Sequence, residues 1–110
     1  SRLMDSGIGE GHTDVDHPAL AHQLFAAYAR ATRVRTLASV MGEQGLPEAD
    51  RKFLEFGTRF EQQFVNQAAS RTLEESMQTG WDVLRGLPHN ELARLSDAQI
   101  RKHLEEPAHA

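Results

Sequence analysis

Met41-Gly42-Glu43-Gln44-Gly45-Leu46-Pro47-Glu48-Ala49-Asp50 joins two segments of helical periodicity, and its reading decides the fold. Gly42 and Gly45 suit a helix end and a turn, because glycine reaches positive φ at little steric cost. Pro47 is placed to open the next helix as its first residue, where a missing N–H costs nothing. Upstream, Leu20, Leu24, Ala27, Tyr28, Ala31, Val34, Leu37, Ala38 and Met41 recur at helical spacing. They predict one wide apolar stripe on a long first helix that ends at Gly42. Downstream, Phe53, Gly57, Phe60 and Phe64 share one face of a second helix running from Pro47 to about Asn66. The two segments make a helical hairpin with an acidic connection.

Asp16 as N-cap, with Pro18 in the first turn, is the preferred start of the first helix over a capping box of Thr13 and Asp16. On the second helix, Glu48 with Lys52 and Glu55 with Arg59 are i,i+4 pairs in the favourable orientation, worth about 0.2–0.5 kcal/mol each. Gly57 on the buried side lets another helix come close, at a propensity cost of about 1 kcal/mol. Thr72 and Glu75 form a capping box for a third helix whose stripe is Leu73, Met77, Trp81 and Leu84, with Gly86 and Pro88 as its stop. Ser96 and Gln99 cap a last helix reaching about Leu104. No alternation of period two appears. The expected fold is therefore all-α: a compact helical bundle of about three long helices plus one or two short C-terminal helices. Residues 1–12 read as a flexible glycine-rich arm, residues 13–104 as the helical domain, and residues 105–110 as a frayed tail.

A chain of 110 residues is one ordinary domain, and its 39% apolar and 25% charged content is that of a globular protein. No apolar run approaches the roughly 20 residues needed to cross a bilayer, and no signal-peptide pattern is present. The chain has no cysteine, so disulfides and thiolate chemistry are excluded. That is compatible with a cytosolic setting. A formal net charge of −4 gives no help to nucleic-acid binding. Opening on Ser1-Arg2-Leu3-Met4, the sequence reads as part of something longer.

Chemistry-bearing residues are few. The six histidines, at 12, 17, 22, 89, 103 and 109, lack the i,i+4 spacing of a helical metal site. They read as exposed or capping residues, and no metal is expected. Gly7-Ile8-Gly9-Glu10-Gly11 follows no strand, and the P-loop pattern is absent from the chain. Arg30, Arg33 and Arg35 complement the dipole of the first helix and, with acidic residues at 43, 48 and 50, suggest a solvated surface of mixed sign. The phenylalanines and Trp81 read as core. Arg2, on a glycine-flanked arm, carries five fixed donors and a permanent charge suited to reaching a phosphate.

The order of pieces resembles the C-terminal part of the B subunit, or beta chain, of archaeal and vacuolar-type rotary ATPases. The matching blocks include Ser1-Arg2-Leu3-Met4, Gly7-Ile8-Gly9-Glu10-Gly11, Asp16-His17, Gln23-Leu24-Phe25-Ala26-Ala27-Tyr28-Ala29 and Leu37-Ala38-Ser39-Val40-Met41-Gly42-Glu43. They continue through Asp50-Arg51-Lys52-Phe53-Leu54-Glu55-Phe56, Phe64-Val65-Asn66-Gln67, Arg71-Thr72-Leu73-Glu74-Glu75-Ser76, Gly80-Trp81, Leu87-Pro88 and Glu91-Leu92. Departures are Pro47 in place of a Ser or Thr cap, a shortened connection at Ala68-Ala69-Ser70, and His12.

The resemblance implies a helical domain of a regulatory, non-catalytic subunit that alternates with catalytic A subunits in a ring around a rotating stalk. That ring couples ATP hydrolysis or synthesis to ion transport across a membrane, and the head is cytoplasmic and peripheral. Arg2 corresponds to an arginine finger acting in trans on nucleotide at the A-subunit interface. The loop Gly42, Glu43, Gln44, Gly45, Leu46, Pro47, Glu48 and Asp50 corresponds to the stretch that touches the central stalk. No cofactor is expected within these residues; ATP or ADP belongs to the interface formed by the parent subunit. The expected partners are the A subunits and the stalk, with no nucleic acid and no membrane insertion, and the domain alone is expected to be a monomer or weak oligomer. The alternative is an independent adaptor that seats a partner helix in a groove between its own helices.

Overall fold

The computed structural model describes residues 15–65 and 72–105. Within them the chain forms α1 (His17–Met41), α2 (Glu48–Phe60), α3 (Leu73–Leu84) and a short α4 (Asp97–Ile100). α2 widens into a π-helical turn over Glu61–Val65, and α4 into another over Arg101–Glu105. Short 3₁₀ turns, Glu43–Gly45 and His89–Glu91, complete the connections. No strand occurs among the described residues, and the expected all-α bundle is the one observed. The glycine-rich arm with Arg2 and His12, the Thr13 capping box, the connection at residues 66–71 and the tail at residues 106–110 lie outside the described residues. Glu105, expected in that tail, belongs to the final helical turn.

α1 is the axis of the bundle. It is rich in alanine, the strongest helix former, and it buries Leu20, Leu24, Ala27, Ala31 and Val34. α2 and α3 both pack on it, and two glycines set how closely. A Cβ added at Gly57 would stand 2.9 Å from the Ala31 Cβ, and one at Gly80 would stand 3.0 Å from Leu24 Cδ1. Phe53, Phe56 and Phe60 of α2 and Met77, Trp81, Val83 and Leu84 of α3 fill the space beside these contacts. Leu87, Leu92, Leu95, Ile100 and Leu104 close the core from the C-terminal side. Tyr28, Phe56 and Phe64 each pack a ring against Phe60, with centroids 5.0–5.7 Å apart, within the range of favourable aromatic pairs.

The capping signals at α3 and α4 are realised in full. The Thr72 and Ser96 hydroxyls accept from the backbone N–H groups of Glu75 and Gln99, whose side chains accept in return from the cap N–H groups. α1 starts as expected at Asp16, but the Asp16 side chain makes no capping bond. Its carboxylate instead accepts from Gln99 Nε2 at 3.0 Å and lies 2.8 Å from His103 Nε2, tying the start of α1 to the last helical turns. Burial opposes the charge of Asp16, but these bonds outweigh it and hold its carboxyl below the usual value. His103 also stacks on Trp81, with centroids 3.9 Å apart and planes 6° from parallel. Arg85 donates to the His103 and Leu104 carbonyls and so satisfies the end of the same segment.

Several expectations need correction. Leu37, Met41 and Leu73 belong to buried stripes by their spacing, yet they are 44%, 49% and 41% exposed. Near the end of α1 it is Ala38, rather than Leu37 or Met41, that packs against the core. His17, expected to be exposed or capping, is buried, and His103 is a core-edge ring. Pro47 precedes the first helical residue, Glu48, with ψ at 156°, so it acts from the N-cap position. Glu48 and Lys52 do pair, at 3.9 Å, whereas the Arg59 guanidinium lies against Gly86 in the turn after α3.

Arg35 donates to both carboxylate oxygens of Glu61, at 2.6 and 2.8 Å, while the Tyr28 hydroxyl donates to the same carboxylate. The bonds from Arg35 and then Tyr28 draw the Glu61 carboxyl from its ordinary 4.5 to about 2. A depressed folded value stabilises the fold above pH 4.5 and loses that contribution as pH falls toward 2. Glu61→Gln is expected to cost about 1 kcal/mol at neutral pH, given the partial exposure of the pair. It should also flatten the fall in urea-unfolding stability between pH 4.5 and 2; an unchanged acid slope would contradict the assignment. Gly57→Ala gains helix propensity, but the Ala31 Cβ has no room to retreat. We expect a net loss of about 1–2 kcal/mol, read as a lower thermal midpoint.

Candidate functional site

The tip of the α1–α2 hairpin carries the residues expected to meet a partner, and its shape follows from a few local constraints. Gly42 adopts φ 83°, the left-handed region that glycine favours, and its N–H returns to the Ala38 carbonyl to end α1. The chain then makes the Glu43–Gly45 turn, with the Leu46 N–H bonded to the Glu43 carbonyl at 3.1 Å. Leu46 is the anchor: it is only 4% exposed in an otherwise exposed loop. Arg51 donates to its carbonyl at 3.2 Å, locking the loop to the first turn of α2.

Around this anchor Glu43, Gln44, Gly45, Pro47 and Glu48 face solvent. Asp50 does not belong with them. It accepts from Arg30 at 2.9 Å, and the same guanidinium reaches Glu91 at 2.6 Å and lies 4.4 Å above the Phe53 ring. The bonds to Asp50 and then Glu91 hold Arg30 even more firmly protonated than usual. Arg30 and Arg35, expected on a solvated surface, therefore cross-link elements: Arg30 joins α1 to α2 and to the turn before Leu92, and Arg35 joins α1 to the end of α2.

The tip has a second component that the periodicity concealed. Val40 is 83% exposed, beside half-exposed Leu37 and Met41, so two outward carboxylates stand next to an apolar ridge. A ridge of this kind beside acidic side chains is suited to docking on another protein and holds no group positioned for bond making. The signal was present: Val40 lies off the predicted stripe, and Met41 sits at a helix end. Among the described residues, no three His, Cys, Asp or Glu side chains are grouped to hold a metal ion. No helix there is long and apolar enough to cross a membrane. Arg2 lies outside the described residues.

This architecture, a hairpin followed by a capped third helix and a short C-terminal turn, has known relatives. Residues 6–104 match the family described as the C-terminal domain of V and A type ATP synthase. The chain belongs to this family. It is 51% identical over 105 residues to the B subunit of the A-type ATP synthase of Methanopyrus kandleri, covering 94% of this chain and 11% of the relative. It is 48% identical over 105 residues to the V-type ATP synthase beta chain of Thermotoga neapolitana, covering 94% of this chain and 23% of the relative. To the corresponding A-type B subunit of Methanosarcina mazei it is 44% identical over 111 residues, covering 99% and 24%. The chain thus spans a quarter or less of the length of these relatives. The resemblance read from the sequence names the same family and the same polypeptide, and the hairpin tip is a surface of this domain where exposed charge and exposed apolar side chains meet.

Leu46 should hold that tip in place. Leu46→Ala removes a buried side chain and is expected to cost about 2–3 kcal/mol, with hydrogen exchange accelerated first at residues 42–47. Uniform acceleration across α1 would show that the leucine supports the core rather than the loop.

Proposed function

We propose that this domain couples the ring of a V/A-type rotary ATP synthase to its central stalk, as the C-terminal helical domain of a non-catalytic B subunit. The observation that carries the reading is the pairing of family membership with the tip: an anchored loop presents Glu43 and Glu48 beside Val40 and Met41. The rotating stalk presses on the tip, and the bundle transmits that load to the subunit interfaces through α1. Three features suit such a lever. α1 is continuous over 25 residues, about 37 Å. Its contacts with α2 and α3 leave little room to slide, and Arg30 and Arg35 pin its flanks.

In this reading the domain neither binds nor hydrolyses nucleotide on its own. ATP or ADP sits at interfaces built from the parent subunit and its A-subunit neighbours, and Arg2 is the group this chain contributes there. A guanidinium neutralises charge developing on a transferring phosphoryl group, an effect worth about 10³–10⁵ in rate, and its planar fork is not replaced by lysine. The assembled head is peripheral to the membrane and drives proton or sodium movement through the stalk.

The test uses an assembled ATP synthase whose B subunit carries this domain. Glu43→Ala with Glu48→Ala and Val40→Ser should weaken stalk binding and lower ion pumping per ATP hydrolysed. Arg2→Ala should cut hydrolysis by about 10³-fold, with Arg2→Lys no better. Full coupling in the tip variant would remove the tip from the stalk contact, and full hydrolysis in Arg2→Ala would remove the arginine from the nucleotide site.

A further inference from the structure

At the end of α1 away from the tip, an open apolar groove of about 250 Å³ runs between the first turns of α1 and the start of α3. Leu20, Leu24 and Met77 line it, and Phe25 and Leu73 stand on its rim. Phe25 is 67% exposed there, a large aromatic side chain that the bundle itself does not cover.

We propose that this groove is the seat of the chain's own leading segment, with the Ile8 side chain inserted between Phe25 and Leu73. Position comes first: the segment joins the bundle at Val15, directly ahead of the helical turns that line the groove. Reach is sufficient. The seven residues from Ile8 to Val15 extend up to about 23 Å, while Phe25 lies ten residues along α1, about 15 Å from Val15.

Chemistry selects the residue. In Gly7-Ile8-Gly9 a branched apolar side chain stands between glycines, so no neighbouring Cβ keeps the backbone away from the rim. Size argues against a second copy, since a stable dimer buries about 1,200–2,000 Å² and this groove accepts one or two side chains. A tethered segment, by contrast, is held near the groove at an effective concentration in the millimolar range. Seated in this way, Ile8 sets the point from which Arg2, six residues earlier, leaves the bundle. The docking itself does not depend on what Arg2 acts upon.

The chain contains no cysteine, so introduced pairs report the contact directly in the full 110-residue protein. Ile8→Cys with Ser76→Cys, a residue lining the groove, is compared with Ile8→Cys with Ala26→Cys. Ala26 directly follows Phe25 on α1 but opens on the other side, into the cleft beside Arg30 and Arg94. Under mild oxidation in dilute solution, the first pair should close an intrachain disulfide at least tenfold faster than the second. Adding Phe25→Ser to the first pair should remove most of that advantage with helix content by circular dichroism unchanged. Equal rates for the two pairs would overturn the proposal and leave the groove to a partner protein. Products dominated by cross-linked dimers would overturn it in favour of a second copy.

Discussion

The structure depends on the close approach of α2 and α3 to a single central helix. Ala31 meets Gly57 with no space for another methyl group, and Leu20 and Leu24 rest against Gly80 in the same way. Small residues at these crossings bring the helix axes together, and the large side chains then interlock on either side. Close packing leaves few low-energy alternatives, because a helix that slides by one turn would replace glycine with a residue the neighbour cannot admit. α1 is therefore the spine of the core, with α2 and α3 both packed against it.

Polar contacts act at a second level. Arg30, Arg35 and Asp16 each connect elements distant in sequence, and all lie at the edge of the core rather than within it. Such pairs add little net stability when partly solvated. What they do is fix orientation: Arg30 holds the hairpin against the turn before Leu92, Arg35 holds the end of α2, and Asp16 holds the last helical segment to the first. Gln23, buried on α1, accepts from the Arg94 N–H and adds a fourth tie. Together these ties brace the domain at several points along its length.

This division of labour leaves the two ends of α1 open to the outside. At one end Gly42 and Leu46 hold a compact acidic loop beside apolar residues that the bundle does not cover. At the other, an apolar groove opens beside Phe25, between the first turns of α1 and the start of α3. The core lies between them, and among the described residues no three His, Cys, Asp or Glu side chains are grouped to hold a metal ion.

The sequence by itself determined the helices, the capping boxes at Thr72 and Ser96, the hairpin and the family. Spacing of apolar residues, the Thr72 and Ser96 boxes and the glycine at position 42 are local signals whose energetics are settled within a turn or two of the chain. It did not reveal which positions of the stripe stay exposed, because Leu37 and Met41 look like core until the packing around the last turns of α1 is known. Nor did it reveal the destinations of Asp16, Arg30 and Asp50, whose short-range roles as cap, dipole partner and loop charge are as plausible as the long-range ones they adopt. Those choices are made when distant segments meet, since a hydrogen-bonded contact between residues 16 and 103 has no signature in the spacing around either. Tertiary packing alone decided them.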